Sequence, residues 1–392
     1  MLNFDYCAPT RLIFGEGVQK TVGETLKPHT KKLLLHYGGQ NIKKSGLYDE
    51  IVASLRSAGV DFVELGGVVP NPRLSLVREG IALCKTEGVD LILAVGGGSV
   101  IDSSKAIAAG MCYDGDVWEI YHKNVPIQKA LPVATVLTIP AAGSEASSSS
   151  VITNEETQMK IGYNAPALRP LVSFINPKLF FTLPKNQVAN GVADMMSHIF
   201  ERYFTNTTHT DLTDALCEAT LRVIMKNALI LANEPQQYDA WCEVGFGGTV
   251  AHVDILGLGR QDDWACHGIE HELSAIYDVP HGAGLAVLTP GWMRYVYKDN
   301  VNMFVQFAVN VMGVDGSYRD PDAIVAEGIA RLSEFFGKMG LPKTLSELGI
   351  GGDRLEEMAK KATGAAFGSE EPLGGLKKLY WQDVLAIYEL VK

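Results

Sequence analysis

The sequence predicts a parallel α/β domain followed by an all-helical one. Two observations carry this. Apolar runs with strand character alternate with helix-period segments over roughly the first 185 residues, which builds a parallel sheet covered by helices on both faces. Beyond Pro184 the strand runs stop and long helix-period segments take over. The boundary falls at Thr182-Leu-Pro-Lys185, where a proline closes one segment and opens the next, giving domains of residues 1–185 and 186–392.

Arg11–Phe14 reads as a short strand and Gly15-Glu-Gly17 as its turn. Lys31–Tyr37 is a buried strand, because Leu33, Leu34 and Leu35 are apolar without alternation and Gly38-Gly39 ends the run. Tyr48–Ala58 has helical spacing, Asp61–Leu65 is a further strand, and Leu74–Glu87 is a helix. Asp90–Val95 (DLILAV) is the clearest strand, Ser103–Met111 is helical, and Pro132–Ile139 is another strand. In the second half, Asn186–Phe204, Asp211–Asn233, Gln237–Ala251 and most of Val301–Lys392 read as helices.

Composition bounds the function. With 392 residues, 47% hydrophobic and 20% charged, the chain can bury two sizeable cores. The net charge of −11 argues against nucleic acid or an anionic membrane surface as partner, and no apolar run is long enough to span a bilayer. The six cysteines form no C-x-x-C pair, and the first residues lack a basic, apolar leader pattern. A cytoplasmic protein acting on a small molecule is expected.

Between strand Asp90–Val95 and the next helix lies Gly96-Gly97-Gly98-Ser99. Such a turn lets a phosphate approach the free amides of a helix N-terminus, although the same sequence also serves as a bare strand-to-helix turn. Asp102 follows in the first helical turn, where it bonds either to local amides or to a ribose hydroxyl. After strand Lys31–Tyr37, Gly38-Gly39-Gln40-Asn41 carries no acid of the kind that repels a 2′-phosphate, and Lys43-Lys44 come next. This leans to NADP over NAD.

Asn190–Gly284 gathers metal-type donors. Asp194 and His198 stand four residues apart on one helix face, His267 and His271 repeat that spacing, and His281 sits in a Pro-His-Gly turn. A carboxylate with imidazoles suits Fe(II) or Zn(II). Four ligands would close a tetrahedral site, so one donor stands aside or coordination expands. His271, one turn from His267, is the donor to set apart, as a proton relay. Glu270 and Glu272 flank it and read equally as solvated charges, and the remaining five of the nine histidines, His252 and His36 among them, have no partner at metal spacing.

GGGSVIDSSK (Gly96–Lys105), Ala142-Gly-Ser-Glu145, GVADMMSHIFERYF (Gly191–Phe204) and WACHGIEHELSAIYDVPHGAGLA (Trp264–Ala286) together resemble the iron-containing (group III) alcohol dehydrogenases, over the whole chain from Pro9–Gly17 onward. The resemblance implies a Rossmann-like α/β domain and an all-α domain with the active site in the cleft between them, an arrangement shared with dehydroquinate synthases. It implies hydride transfer between NAD(P)H and a short-chain aldehyde or primary alcohol. It implies a metal, Fe(II) or in some members zinc, held by Asp194, His198, His267 and His281, with His271 non-ligating. Cofactor positions matching the family are Asn71, Gly96–Ser99 (Gly97 and Gly98 between them), Thr138 and Lys160. Many members dimerise by pairing an N-terminal strand, here Arg11–Phe14. Two departures stand out. Ala142 replaces a threonine whose hydroxyl usually helps hold the cofactor, and Ser147–Ser150 stand where related chains often carry Asn or larger residues, which is expected to widen or rewet the substrate pocket. The rival readings are a metal- and NAD-dependent lyase or cyclase of dehydroquinate synthase type, and a nucleotide- or metal-binding protein without turnover.

Overall fold

The computed structural model describes residues 1–317 and 320–392. The chain forms two compact units, Cys7–Leu183 and Pro184–Lys392, and Met1–Tyr6 packs with the second of them.

The first unit is built on a six-stranded sheet with every neighbouring pair parallel. Its strands are β1 (Arg11–Phe14), β2 (Lys32–Tyr37), β3 (Asp61–Leu65), β4 (Leu91–Gly96), β5 (Val133–Leu137) and β8 (Val172–Ile175), in the order β1-β8-β5-β4-β2-β3. Because side chains alternate across a strand, each central strand feeds both faces. Leu34, Ile92 and Val133 face α2 (Leu74–Glu87) and α3 (Gly98–Gly110), where Val77, Ala106 and Ile107 meet them. Leu33, Leu35, Leu91, Leu93 and Val95 face the opposite way, against Ile51 and Leu55 of α1 (Leu47–Ala58). Burial on both faces is why these strands read as unbroken apolar runs.

Among the strands, a hairpin and one strand of the main sheet escape the sequence reading. An antiparallel hairpin, β6 (Ser149–Asn154) with β7 (Met159–Asn164), forms a separate two-stranded sheet, and β8 completes the main one. Ser147–Ser150 therefore lead into a strand. Ser150 is buried and its hydroxyl bonds the Asp102 carbonyl and the Tyr121 hydroxyl. That occupancy counts against these serines simply enlarging a pocket.

The second unit is helical. Its elements that matter for the site are α4 (Lys185–Tyr203), α5 (Asp211–Asn233), α6 (Tyr238–His252), α7 (Ala265–Tyr277) and α8 (His281–Val296). Pro184, extended at ψ 146°, caps α4, as expected of a proline that opens a helix. The core is aromatic: Phe200, Tyr203 and Phe204 of α4 pack with Trp292, Phe304 and Phe307, all of them buried. Met1 and Leu2 dock here too, the N-terminal ammonium donating to the Thr208 carbonyl and the Leu2 amide to that of Gly259. Among the described residues no helix is long and apolar enough to cross a membrane.

Candidate metal centre and nucleotide turn

Three helices converge on the donor cluster. Asp194 and His198 come from the middle of α4, His267 and His271 from the first half of α7, and His281 from the first position of α8. Sequence reasoning placed His281 in a turn; Pro280 is instead the cap of a helix that His281 begins.

The structure brings Asp194, His267 and His281 together, with one donor atom of each lying within 4.8 Å of the others. Asp194 Oδ1 is 3.8 Å from Nε2 of both His267 and His281. Asp194 Oδ1 and His267 Nε2 are buried without a hydrogen-bond partner. An orphaned carboxylate oxygen facing an orphaned imidazole nitrogen is costly unless a cation lies between them, so this donor set fits a divalent metal. His198 is not among the three residues whose donor atoms meet within 4.8 Å. Its Nδ1 donates to the Asp194 carbonyl at 2.9 Å and lies 3.1 Å from Asp194 Oδ1, leaving only Nε2 as a ligand atom. The i, i+4 spacing thus serves a helix-face hydrogen bond as well.

Electrostatics follow the same geometry. Burial would raise the Asp194 carboxyl, but His198, His267 and His281 around it hold it well below the usual carboxylate range. Burial lowers His198 despite Asp194 beside it. Burial would lower His267 too, yet Asp194 and Glu201 raise it to about 9. A metal taking up His267 Nε2 must therefore displace a proton.

Several neighbours were not legible as site residues. Glu201 Oε1 accepts from both the backbone amide and Nδ1 of His267, at 2.8 and 3.0 Å. Glu270, which from sequence could equally be a solvated charge, is fully buried and accepts a hydrogen bond from His281 Nδ1 on Oε2 and from the Ser274 hydroxyl on Oε1. Glu272 is buried as well, paired with Lys361 at 3.1 Å. His252 packs against His198 with ring centroids 4.2 Å apart, and its Nδ1 accepts from Arg202 at 2.9 Å. Trp264, left-handed at φ 62° where a bulky residue is strained, sets its ring edge-on to His198 and His267 beneath the Arg202 guanidinium. The signal for Glu201 was present: Asp194, His198 and Glu201 are spaced i, i+4, i+7 on one helix face. His271 lies on the same face of α7 as His267, its ring 5.8 Å from that of His281.

In the first unit, the predicted nucleotide positions collect at the C-terminal ends of neighbouring parallel strands. Gly38, Gly39 and Gln40 follow β2, Gly97 follows β4, and Thr138 follows β5 and donates its amide to the Gly96 carbonyl at 3.0 Å. The chain order reverses between β2 and β4, the switch point at which open α/β sheets take ligands. Helix α3 begins at Gly98, within the glycine turn, and no side chain caps it, so its first amides face outward. A Cβ at Gly97 would lie 3.0 Å from Ile139, and one at Gly98 3.3 Å from the Ala142 methyl. Asn71 is buried and left-handed at φ 54°. The Thr153 amide donates to Pro72, and Thr153 pairs with Lys160 across the hairpin, so Asn71 and Lys160 share one corner. Asp102 resolves toward local bonding: its oxygens accept the Ser144 hydroxyl at 2.6 Å and the Val151 amide at 3.0 Å. Fully buried Lys105 completes the loop, donating to the carbonyls of Ser144, Ser147 and Ser149 at 2.7, 2.9 and 2.7 Å.

Comparison with known proteins matches residues 9–177 to the model of iron-containing alcohol dehydrogenase, and residues 188–391 to that of the Fe-containing alcohol dehydrogenase family, C-terminal. The chain is 45% identical to the probable NADH-dependent butanol dehydrogenase 1 of Bacillus subtilis, over 99% of both chains. It is 43% identical to the NADH-dependent butanol dehydrogenase A of Clostridium acetobutylicum, again over 99% of both. The crystal structure of NADH-dependent butanol dehydrogenase A from Thermotoga maritima superposes with a TM-score of 0.95 at 40% identity, covering 100% of this chain and 99% of that one.

Proposed function

The chain belongs to the iron-containing alcohol dehydrogenase family and is an oxidoreductase of alcohols and aldehydes that uses a nicotinamide cofactor; on that premise we propose that it interconverts short-chain aldehydes and primary alcohols with NADH at a site holding Fe(II). The observation that carries this reading is the meeting of buried Asp194 and His267 with half-buried His281, the Asp194 Oδ1 and His267 Nε2 atoms being buried and unpartnered.

Asp194, His198, His267 and His281 would hold the ion. When bound, iron supplies Lewis acidity toward a carbonyl oxygen and the nicotinamide supplies the hydride. The chain's own residues do the rest. The amides at Gly97–Ser99 take the pyrophosphate, Asn71, Thr138 and Lys160 orient the remainder of the nucleotide, and Gly38, Gly39 and Gln40 face its adenosine end. His271 passes the proton between the substrate oxygen and solvent. Asp102 acts through the loop it bonds rather than by contact.

The sequence leaned to NADP; NADH is favoured instead on one structural observation. Lys43, the nearest cation after the Gly38–Gln40 turn, lies over the rings of Tyr37 and Tyr48 and 3.8 Å from Glu64, which engages it away from a 2′-phosphate. Iron rather than zinc follows the family. Edge strand β1, with Leu12 and Phe14 exposed, supports a homodimer built by strand pairing. Six free cysteines support a cytoplasmic setting.

Elemental analysis of the purified protein, with a panel of aldehydes assayed against NADH and NADPH, tests the reading. Asp194→Ala and His267→Ala are expected to lose metal and activity together. Full activity in either without metal would overturn it, and a kcat/KM favouring NADPH would overturn the cofactor choice.

A further inference from the structure

We propose that Glu201 and Glu270 are a matched pair of positioning carboxylates that fix His267 and His281 as Nδ1–H tautomers, so that both present Nε2 to a divalent cation; the inference rests on the metal reading above. Each histidine has the same arrangement on the side away from Asp194. His267 Nδ1 donates to Glu201 Oε1, and His281 Nδ1 donates to Glu270 Oε2. Their Nε2 atoms then both stand 3.8 Å from Asp194 Oδ1. An ionised carboxylate can only accept, so each one selects the tautomer that carries its proton on Nδ1 and its lone pair on Nε2.

The two carboxylates are themselves fixed. Glu201 is 2% exposed and also accepts the His267 backbone amide, which ties the ring to the start of α7 rather than to its own rotamer alone. Glu270 is fully buried and held by the Ser274 hydroxyl one turn on. The sequence leaves room for it: a Cβ at residue 284 would lie 2.8 Å from Glu270 Oε1, so glycine there keeps the carboxylate in place. His198 reaches the same tautomer by a different partner, the Asp194 carbonyl. All three rings thus present Nε2, from three helices, by independent hydrogen bonds. Orienting groups of this kind contribute about 10- to 100-fold to metal affinity.

The test uses full-length protein stripped with chelator and titrated with Co(II), whose visible d–d absorption reports ligand geometry. Glu201→Gln and Glu270→Gln keep the shape and an acceptor oxygen but remove the charge that enforces the tautomer. Each is expected to weaken Co(II) binding at least tenfold and to change the shape of the visible band, while the melting temperature of the metal-free protein stays within a few degrees of wild type. Glu201→Leu, which removes the acceptor as well, is expected to weaken binding further. Asp194→Asn separates the two claims. If Asp194→Asn loses Co(II) while both glutamine variants bind within threefold of wild type with an unchanged spectrum, the positioning role is overturned and the metal site stands. If Asp194→Asn binds as tightly as wild type, the metal reading itself fails and the inference with it. A glutamine variant whose weakened binding is matched by collapse of the metal-free melt also counts against a positioning role.

Discussion

Replacing Gly282 with alanine places a methyl carbon 2.0 Å from the carbonyl oxygen of Asn190, with the carbonyl carbon and Cα of that residue at 2.6 and 2.8 Å. All three are backbone atoms of α4, so no side chain can rotate away. Ordinary contact begins near 3.4 Å, and the first turn of α8 must therefore move by roughly 1 Å or more from α4. Overpacking against backbone costs about 2–3 kcal/mol, the upper part of the usual range. For a unit of some two hundred residues that lowers the melting temperature by about 5–10 °C. The functional effect is larger, because His281 immediately precedes Gly282 while Asp194 sits on the helix being pushed away. A displacement of about 1 Å between reacting or binding groups costs on the order of 100-fold. Gly282→Ala is accordingly expected to purify with little metal and to reduce aldehydes about 100-fold more slowly, measured by elemental analysis, steady-state kinetics and a thermal melt. Gly268→Ala is the control. It adds a methyl next to His267, but meets only the Leu373 side chain at 3.3 Å, and should melt within 2–3 °C of wild type. If Gly282→Ala retained wild-type metal content and melting temperature, the close approach of α8 to α4 would not be what sets the donor geometry.

The other predictions concern single buried groups. Burial lowers His36 to about 4 despite its bond to the Leu65 carbonyl, whereas the unfolded chain takes up that proton near 6.5. The unfolded state binds the extra proton between these values, so the fold loses stability as pH falls from about 6.5 to 4, by at most about 3 kcal/mol from this group. Comparing urea midpoints at pH 7 and 4.5, wild type should lose more than His36→Gln; equal losses would refute it. Lys105→Met strands the carbonyls of Ser144, Ser147 and Ser149, at about 1–3 kcal/mol each if none finds water, and should weaken NADH binding by fluorescence titration and lower the melt. Unchanged NADH affinity would show that the loop holds its form without the ammonium. His271→Ala should keep its metal by elemental analysis while slowing turnover; loss of the metal would instead make His271 a ligand.

The central strands and long helices were legible because burial imposes a simple pattern. Leu33–Leu35 and Leu91–Val95 are covered on both faces, and α4 was read within one residue at each end as Asn186–Phe204. The hairpin β6–β7 was not legible. Its first strand opens on serines, and its loop, Glu155–Gln158, lacks the Asn-Gly signal, with Gln158 itself taking the left-handed conformation at φ 51°. Local spacing along α4 and α7 drew out Asp194, His198, His267 and His271 as candidate donors, since i, i+4 pairs are local. Glu270 and His252 depend on which helix lies opposite, and no local pattern distinguishes a glutamate facing His281 from a solvated one.

The donors Asp194, His267 and His281 lie on α4, α7 and α8, separated by roughly seventy and fourteen residues of chain. Anything that binds all three also closes two loops, one of them long, and the entropy of those loops is taken from the unfolded ensemble. Occupancy and folding of the helical unit are then one equilibrium. Its melting temperature should rise with free divalent cation as RT ln(1 + [L]/Kd) dictates, and a chelator would act on it as a mild denaturant.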